Sequence, residues 1–170
     1  MDSSLRVVLY ALNEGALVSK AASLSSSCGL PLDVFMDHRT APEELKILTQ
    51  NGVSYRIARN PHDSPEGIFP DMSRQVETEW LWVLNADEWL SPGLVESVLR
   101  AVRRASEDPD LKVVAVPRRW VRIRKDGQAV YSRHWRLARG DYQYRVFRHK
   151  KVNFKPQVHS PGFDFNPSEV

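Results

Sequence analysis

The sequence predicts an α/β fold in which helices flank a single, mostly parallel sheet. Between residues 5 and 116, short apolar runs alternate with amphipathic segments, an order typical of strands joined by helical crossovers. After residue 117 the pattern changes to two-residue alternation around a turn signal, which indicates antiparallel strands. With 170 residues, of which 42% are apolar and 26% charged, the chain has the size and composition of one soluble domain.

Turn and capping signals set the bounds of the predicted elements. Gly29 and Pro31 end the first helix, and Ser91-Pro92 starts the fourth. The predicted strands of the parallel part are Arg6–Ala11, Leu32–Met36, Val53–Ile57, Trp80–Leu84 and Leu111–Val116. The remaining expectations are a first helix that buries Leu17, Ala21, Leu24 and Cys28, a second helix capped by Thr40, a loop over Asn60–Asp71 and a third helix over Met72–Thr78.

The C-terminal third is predicted to add antiparallel strands to this core. Trp120–Arg124 and Tyr142–Arg148 alternate between polar and apolar residues, and Asp126-Gly127 is a hairpin turn signal. We expect residues 1–162 to form one domain and residues 163–170 to form a loose tail.

Basic residues are concentrated in one part of the chain. Residues 1–116 contain 11 basic and 17 acidic side chains, whereas residues 117–155 contain 13 basic and only 2 acidic ones. Such a block favours a polyanionic partner, and phosphates, nucleic acid and an anionic membrane surface are the candidates. No RNA-binding motif accompanies the block, so we expect no nucleic-acid partner.

Cysteine content and hydropathy indicate the compartment. One cysteine excludes an intrachain disulfide and is typical of a reducing compartment. No run is long enough to span a membrane, and the first residues lack the pattern of a secretory signal. We expect a cytoplasmic protein, with peripheral contact at an anionic membrane surface as a further hypothesis.

Polar side chains follow three of the predicted strands. Asn85, Asp87 and Glu88 follow the Trp80 strand, Asp37 ends the second strand, and Asn13-Glu14 follows the first. The carboxyl ends of parallel strands share one edge, where ligands bind in open α/β sheets. Asp87 is the best ligand for a divalent cation, because Mg²⁺ and Mn²⁺ prefer carboxylate oxygens. Helix capping and turn formation are the alternatives for Asp87, Asp37 and Asn13.

Several cationic and aromatic side chains are further candidates. Arginine forks match phosphate geometry, which makes Arg74, Arg145 and Arg148 candidates for binding phosphate groups. His159 is either a late metal ligand, a proton donor or neither. Trp120 and Trp135 either pack in the core or line a sugar site. The sequence contains no phosphate-binding loop, dinucleotide fingerprint, Cys/His metal cluster or nucleophile elbow.

The motifs and their order along the chain resemble those of the family 2 glycosyltransferases of GT-A fold, in particular the branch that includes bacterial lipopolysaccharide-core and related cell-surface transferases. The resemblance covers residues 5–162. The matching motifs are Asn13-Glu14, Asp37-His38-Arg39-Thr40, Arg74-Gln75, Asn85-Ala86-Asp87-Glu88, Asp141-Tyr142-Gln143-Tyr144-Arg145-Val146-Phe147-Arg148 and Val158-His159.

The resemblance implies an inverting transferase that uses a nucleoside-diphosphate sugar (UDP-sugar favoured), Mn²⁺ or Mg²⁺, and a glycan or lipid-linked acceptor. It implies Asp87 and His159 as metal ligands and Asp141 as the catalytic base, with Glu88 as the rival base. The implied nucleotide-sugar contacts are Ala11, Asn13, Glu14, Asp37, Arg74, Asn85, Ala86, Arg145 and Arg148.

Three positions depart from the family pattern. Asn85 and Ser160 stand where the family has carboxylates, and His38-Arg39 replaces a Gly-Ser pair. These departures motivate an alternative, a catalytically silent domain of GT-A type that binds nucleotide or a glycan within a larger protein.

Overall fold

The computed structural model describes residues 4–30, 32–62, 64–118, 121–126, 128–131, 141–155 and 163–164. At residues 65, 118, 121–123, 129–131, 141 and 163 it describes the backbone alone. The strands are β1 (Leu5–Ala11), β2 (Leu32–Asp37), β3 (Tyr55–Ala58), β4 (Trp80–Asn85), β5 (Val113–Arg118), β6 (Val121–Ile123), β7 (Ala129–Tyr131), β8 (Asp141–Arg148), β9 (Asn153–Phe154) and β10 (Phe163–Asp164). The helices are α1 (Gly15–Ser27), α2 (Pro42–Gln50), α3 (Phe69–Gln75) and α4 (Pro92–Ser106), and a 3₁₀ turn covers Pro65–Ile68.

A six-stranded sheet with the order β3-β2-β1-β4-β8-β5 forms the centre of the fold. The first four strands in that order are parallel, as predicted, and β8 runs antiparallel to both of its neighbours. The mixed α/β class with a mostly parallel sheet, expected from the alternating pattern, is therefore confirmed.

Two apolar layers cover the sheet. One face packs against α1, α2 and α4, with Trp80, Trp82 and Leu84 of β4 contributing to that core. The other face packs against α3 and the 3₁₀ turn, and it receives Leu81 and Val83 from the same strand. Because β4 is buried on both faces, its sequence is a continuous apolar run.

The position of β8 differs from the expectation of strands added outside the parallel core. Residues of β8 pair with Trp80–Trp82 of β4 on one side and with β5 on the other. Among the described strands, β5 therefore forms the sheet edge and does not pair with β4. An edge position tolerates Pro117, which has no N–H to donate to a neighbouring strand.

The buried face of α1 was predicted wrongly. Leu17 is 40% exposed, Leu24 and Cys28 are half-buried, and only Ala21 of the predicted face is fully buried. The helix instead buries Gly15, Val18, Ala21 and Ser25, mostly small residues that allow close packing. A Cβ atom on Gly15 would lie 2.5 Å from the backbone oxygen of Glu44 on α2, which shows how closely the two helices approach.

The start of α2 and the segment before β4 also differ from the prediction. Thr40 does not cap α2, because Ala41 occupies the capping position and the Thr40 hydroxyl is buried without a hydrogen-bond partner. The predicted loop Asn60–Asp71 contains the 3₁₀ turn and the start of α3, which ends at Gln75 instead of Thr78. Prolines 65 and 70 explain both starts, since proline is favoured in the first turn.

Smaller strand pairs complete the described structure. The predicted hairpin is present as β6 and β7, and Asp126 accepts a hydrogen bond from the Gln128 N–H in its turn. Phe163–Asp164 pairs with β9 in a two-stranded sheet, and the predicted domain end at residue 162 stays a prediction. Cys28 is a free thiol. Within the described ranges, no helix is both long and apolar enough to cross a membrane.

Candidate active site

The candidate site lies at the carboxyl edge of the parallel strands. Strands β3, β2, β1 and β4 end there side by side, and β8 begins at the same edge because it runs in the opposite direction. This is the edge where open α/β sheets bind ligands. Two groups of charged residues occupy it. We call Glu14, Asp87, Glu88 and Arg145 the acidic half, and Asp37, His38, Arg39 and Arg59 the basic half.

In the acidic half, Glu14 follows β1 and Asp87 follows β4, and these two strands are neighbours in the sheet. Burial raises the pKa of the Glu14 carboxyl, and the nearby charge of Asp87 raises it further. Both residues are exposed to solvent. Two repelling carboxylates at a solvent-accessible edge are suited to a divalent cation, which would relieve their repulsion.

Glu88 links β8 to the turn that carries Asp87. One carboxylate oxygen accepts a 2.8 Å hydrogen bond from Arg145 Nη2, and the other accepts from the backbone N–H of Asn85 at 3.0 Å. The side chains of Glu88 and Arg145 are only 17% and 20% exposed, respectively. Glu88 is therefore engaged at both oxygens, which favours a positioning role over the role of catalytic base. Its partner Arg145 lies at this edge, and the predicted contact between Arg145 and a nucleotide-sugar stays a prediction.

In the basic half, the carboxylate of Asp37 is completely buried. Arg39 donates to it from its backbone N–H, Nε and Nη2 at 2.8–2.9 Å, and His38 Nδ1 lies 3.1 Å away. Burial by itself would raise the pKa of Asp37, but the hydrogen bonds and charge of Arg39 outweigh it and hold the pKa below its ordinary value. Asp37 is thus ionised and internally paired.

Tyr10 and Asn60 connect Asp37 to the segment after β3. The Tyr10 hydroxyl donates to Asp37 Oδ2 at 3.3 Å and lies 3.4 Å from the Asn60 side-chain amide, which also donates to the Ser64 carbonyl. Burial raises the pKa of the Tyr10 hydroxyl. No sequence motif pointed to a functional role for Tyr10 or Asn60. Alternation along β1, which places residue 10 on the opposite face from residues 9 and 11, was the only indication.

Asn13 has a structural role at the same edge. Its φ of 56° lies in the left-handed region, which asparagine tolerates better than most residues. Its side-chain oxygen accepts a 2.8 Å hydrogen bond from the Ala41 N–H, so it stabilises the start of α2. Capping, one of the two predicted alternatives for Asn13, is thus observed. The helix that Asn13 caps is α2, and not α1, which follows it in the sequence. Ala11 and Ala86 are buried at the ends of their segments.

One of the predicted phosphate-binding arginines, Arg148, is placed away from the carboxyl edge, whereas Arg74 lies close to the basic half. Arg148 lies at the opposite end of the sheet beside Trp80, and it donates to the Ala105 and Asp108 carbonyls. It is 2% exposed, so it is a packing residue and its prediction as a nucleotide contact was wrong. The two arginines lie on the same strand, but Arg148 pairs with Trp80 at the start of β4, whereas Arg145 reaches Glu88 beyond the end of β4. Arg74 is paired with Asp71 on α3, and the other carboxylate oxygen of Asp71 accepts a hydrogen bond from the Arg59 N–H, so Arg74 lies next to the basic half.

The remaining predictions lie partly or wholly outside the described residues. Trp120, Trp135, His159 and Ser160 fall in ranges that the structure does not describe. The backbone of Asp141 opens β8 opposite Arg118, at the carboxyl edge. Among the described residues, no group of three or more His, Cys, Asp or Glu side chains could hold a metal ion. Any cation at Asp87 and Glu14 would therefore need additional oxygen ligands from water or substrate.

Solved structures share this fold. CMP:2-keto-3-deoxy-manno-octonic acid synthetase complexed with CTP is 19% identical, with a TM-score of 0.53 over 87% of this chain and 75% of that one. The 4-diphosphocytidyl-2C-methyl-D-erythritol synthase of Anaerococcus prevotii is 12% identical, with a TM-score of 0.54 over 86% and 71%. Residues 1–349 of S. aureus TarS are 11% identical, with a TM-score of 0.52 over 92% and 52%.

At these identities the likeness shows the fold and no more. The neighbours have nucleotide-sugar transferase-like folds, which agrees with the predicted fold class. This chain spans about half the length of the TarS fragment. No family model and no curated protein matches the sequence.

Proposed function

We propose that this chain is an inverting glycosyltransferase that moves a sugar from a nucleoside-diphosphate sugar, UDP-sugar favoured, to a hydroxyl of a glycan or lipid-linked acceptor. The observation that carries the proposal is the placement of two exposed carboxylates, Glu14 and Asp87, at the ends of the neighbouring strands β1 and β4, on the carboxyl edge of a sheet with a nucleotide-sugar transferase-like fold. The neighbours of this fold include enzymes of the nucleotidyl- and glycosyltransferase types, which supports a transferase activity.

Asp87 and Glu14 are the residues that would hold Mn²⁺ or Mg²⁺. Magnesium is commonly bound by one or two carboxylates together with substrate phosphates and water, so a pair of carboxylates fits this ion. When bound, the ion would supply charge neutralisation for a diphosphate leaving group. Glu88 and Arg145 would keep the 85–88 turn in place. His159 remains a predicted ligand from the resemblance.

The chemistry is a direct displacement. The acceptor oxygen forms a bond to the anomeric carbon while the bond from that carbon to the diphosphate oxygen breaks, and the nucleoside diphosphate leaves with the bonding electrons. The acceptor proton passes to a carboxylate, for which we propose Asp141 at the start of β8. Asp141→Asn should then abolish transfer to acceptor while leaving donor binding unchanged. Near-normal transfer by that variant would remove Asp141 from this role.

A donor panel tests the activity. UDP-, GDP-, CDP- and dTDP-sugars would be incubated with the chain, with and without Mn²⁺ or Mg²⁺, and nucleotide release would be measured. We expect metal-dependent release from one donor class. CTP with a free sugar belongs in the same panel, because two neighbours are CMP-sugar and diphosphocytidyl synthases by name. Formation of a cytidylylated sugar with release of pyrophosphate would replace glycosyl transfer by nucleotidyl transfer.

A catalytically silent binding domain is the second candidate. Two observations favour it: Asn85 replaces a carboxylate beside Asp87, and the carboxylate of Asp37 is closed off by Arg39. Calorimetry with the same donors separates the candidates, since tight binding without release or transfer would support the silent domain. Absence of donor binding under every metal condition would contradict both.

A further inference from the structure

The basic half of the edge presents two side chains outward at the end of β2. The side chains of His38 and Arg39 are 40% and 39% exposed, although both contact the fully buried carboxylate of Asp37. Arg59 follows β3 directly and is also exposed. Since Asp37 pairs with Ala58 in the sheet, these residues lie on adjoining strand ends. A ligand approaching this part of the edge meets the guanidinium groups of Arg39 and Arg59 and the imidazole of His38 before it meets a carboxylate.

Asp37 has little capacity left for a ligand. One of its oxygens contacts the Arg39 N–H, Arg39 Nε and His38 Nδ1, and the other contacts Arg39 Nη2 and the Tyr10 hydroxyl. With these five contacts and no solvent exposure, the carboxylate is out of reach for a ribose or sugar hydroxyl. This excludes the contact that the resemblance implied for Asp37, unless Arg39 moves away.

The same contacts hold Arg39 in one orientation. Two nearly parallel hydrogen bonds, from Nε and Nη2, join the guanidinium to the Asp37 carboxylate in a bidentate pair. The segment after β3 supports this arrangement from the other side. The Asn60 side chain contacts the Tyr10 hydroxyl, and a Cβ atom on Gly67 would lie only 2.4 Å from Asn60 Oδ1. A guanidinium oriented in advance loses little side-chain entropy when it binds a planar or tetrahedral anion.

We propose that His38, Arg39 and Arg59 form a subsite for a phosphoryl group of the ligand. A phosphate matches the exposed guanidinium and imidazole in charge and hydrogen-bonding capacity. Neighbouring strands lie about 4.8 Å apart, so the ends of β2 and β4 are separated by roughly 10 Å. One nucleotide-sized ligand can therefore contact both halves. The inference rests on the proposed function only for its place beside a donor site.

Two sources of the phosphoryl group are compatible with this position. It belongs either to the donor nucleotide or to a phosphorylated acceptor. Competition separates them: if UDP with Mn²⁺ displaces bound inorganic phosphate, the subsite serves the donor. If phosphate and UDP bind together, it serves the acceptor.

Inorganic phosphate is the probe for the test. It would be titrated into the ¹⁵N-labelled chain without metal, and saturable shifts of the His38–Thr40 amide signals would be followed. We expect Arg39→Lys, which keeps the charge opposite Asp37 but loses the fork, to weaken phosphate binding about tenfold. His38→Ala, which leaves the Asp37–Arg39 pair intact, should weaken it several-fold. Arg104→Lys on the last turn of α4, at the opposite edge, is the matched control and should have no effect.

Each outcome of the phosphate titration either supports or overturns the proposed subsite. Absence of saturable phosphate binding, or binding that is unchanged in both the Arg39→Lys and His38→Ala variants, overturns the subsite. Phosphate binding that persists in Asp87→Ala supports it and separates it from the metal site. If the donor panel fails while phosphate binding follows these variants, the proposed function falls and the anion subsite stands. The reverse pattern leaves the transferase and removes the subsite.

Discussion

The two halves of the carboxyl edge place similar carboxylates in opposite electrostatic settings. In the basic half, Asp37 is fully buried yet its pKa lies below the ordinary value, because Arg39 donates three hydrogen bonds to it. In the acidic half, Glu14 is exposed yet its pKa lies above the ordinary value, because partial burial and the charge of Asp87 both oppose ionisation. The comparison teaches that burial alone does not decide the state of a carboxylate: the hydrogen bonds and charge of Arg39 outweigh burial at Asp37, whereas at Glu14 burial is the larger cause and the charge of Asp87 adds to it. The charge of Asp37 is neutralised by Arg39 within the protein, whereas the charges of Glu14 and Asp87 favour a cation from outside.

The largest expected effect tests the acidic half. Asp87→Ala should reduce metal-dependent nucleotide release by about a hundredfold or more and abolish its dependence on Mn²⁺, because the cation would lose its principal ligand. Donor hydrolysis across a Mn²⁺ titration measures this. Asp110→Ala removes an exposed carboxylate after α4 and should behave as wild type. Unchanged metal dependence in Asp87→Ala would break the comparison, since the acidic half would then have no cation to hold.

The second effect tests the basic half. Asp37→Asn should lower the free energy of unfolding at pH 7 by about 2–3 kcal/mol, because charge-assisted hydrogen bonds from Arg39 are lost. The folded-state pKa of Asp37 is depressed, so its stabilisation is present above the ordinary value of 3.8 and is lost as pH falls through the lower folded value. Urea unfolding at pH 7 and near pH 3 should therefore show a difference that shrinks in acid.

Asp33→Asn is the matched control on the same strand. Asp33 pairs with Arg6 at 3.5 Å in a more exposed setting, so its loss should cost no more than about 1 kcal/mol. Equal losses from both variants would show that burial beside Arg39 adds nothing.

A smaller effect concerns the link between β8 and the 85–88 turn. Glu88→Gln keeps an acceptor for the Asn85 N–H but removes the charge facing Arg145, and we expect a loss of about 1–2 kcal/mol in urea unfolding. Glu96→Gln breaks the exposed pair with Arg100 and should cost about 0.5 kcal/mol or less. If the two variants are equal, the Glu88–Arg145 pair does not hold the turn that carries Asp87.

Asn13 contributes to both halves by joining the end of β1 to the start of α2. Asn13→Gly removes only the hydrogen bond to the Ala41 N–H and should cost about 0.5–1 kcal/mol. Asn13→Ala should cost about 1 kcal/mol more, because alanine is strained at a φ of 56°. Thermal or urea unfolding of the pair separates the cap from the backbone conformation. Identical losses would assign the whole effect to the cap.

The smallest effect has the opposite sign to that of Asp37→Asn. The raised pKa of Glu14 means that its ionised form opposes folding at neutral pH, and this cost is relieved as pH falls through the raised value. In metal-free buffer, Glu14→Gln should therefore slightly increase stability at pH 7 and change nothing in acid. A decrease at pH 7 would contradict the repulsion between Glu14 and Asp87.

The sequence predicts the strands of the sheet better than the contacts of the site. Continuous apolar runs such as Trp80–Leu84 identify strands buried on both faces, and the polar residues that follow them mark the edge. The burial of α1 was missed because helical spacing alone does not distinguish a face built from Val18 and small residues from one built from leucines. Arg148 was misplaced because alternation along a strand does not reveal which end faces the site.

The pairing within the basic half was beyond sequence reasoning for a different reason. His38-Arg39 was recognised as an unusual replacement, but its consequence depends on how Arg39 folds back onto Asp37 and on Tyr10 from another strand. Tyr10 and Asp37 are 27 residues apart along the chain, so no local sequence pattern indicates that they are in contact. The positions of Asp87 and Glu14, in contrast, follow directly from strand order.

The insertion of β8 between β4 and β5 has a consequence for synthesis of the chain. By the time β5 has left the ribosome, its neighbour in the sheet has not yet been made, and β4 has a partner only on its β1 side. A nascent chain ending before residue 141 therefore carries unpaired strand edges in the middle of its core, where they invite association with other chains. Completion of the sheet waits for the segment that also delivers Arg145, so the fold and the acidic half are finished in the same event.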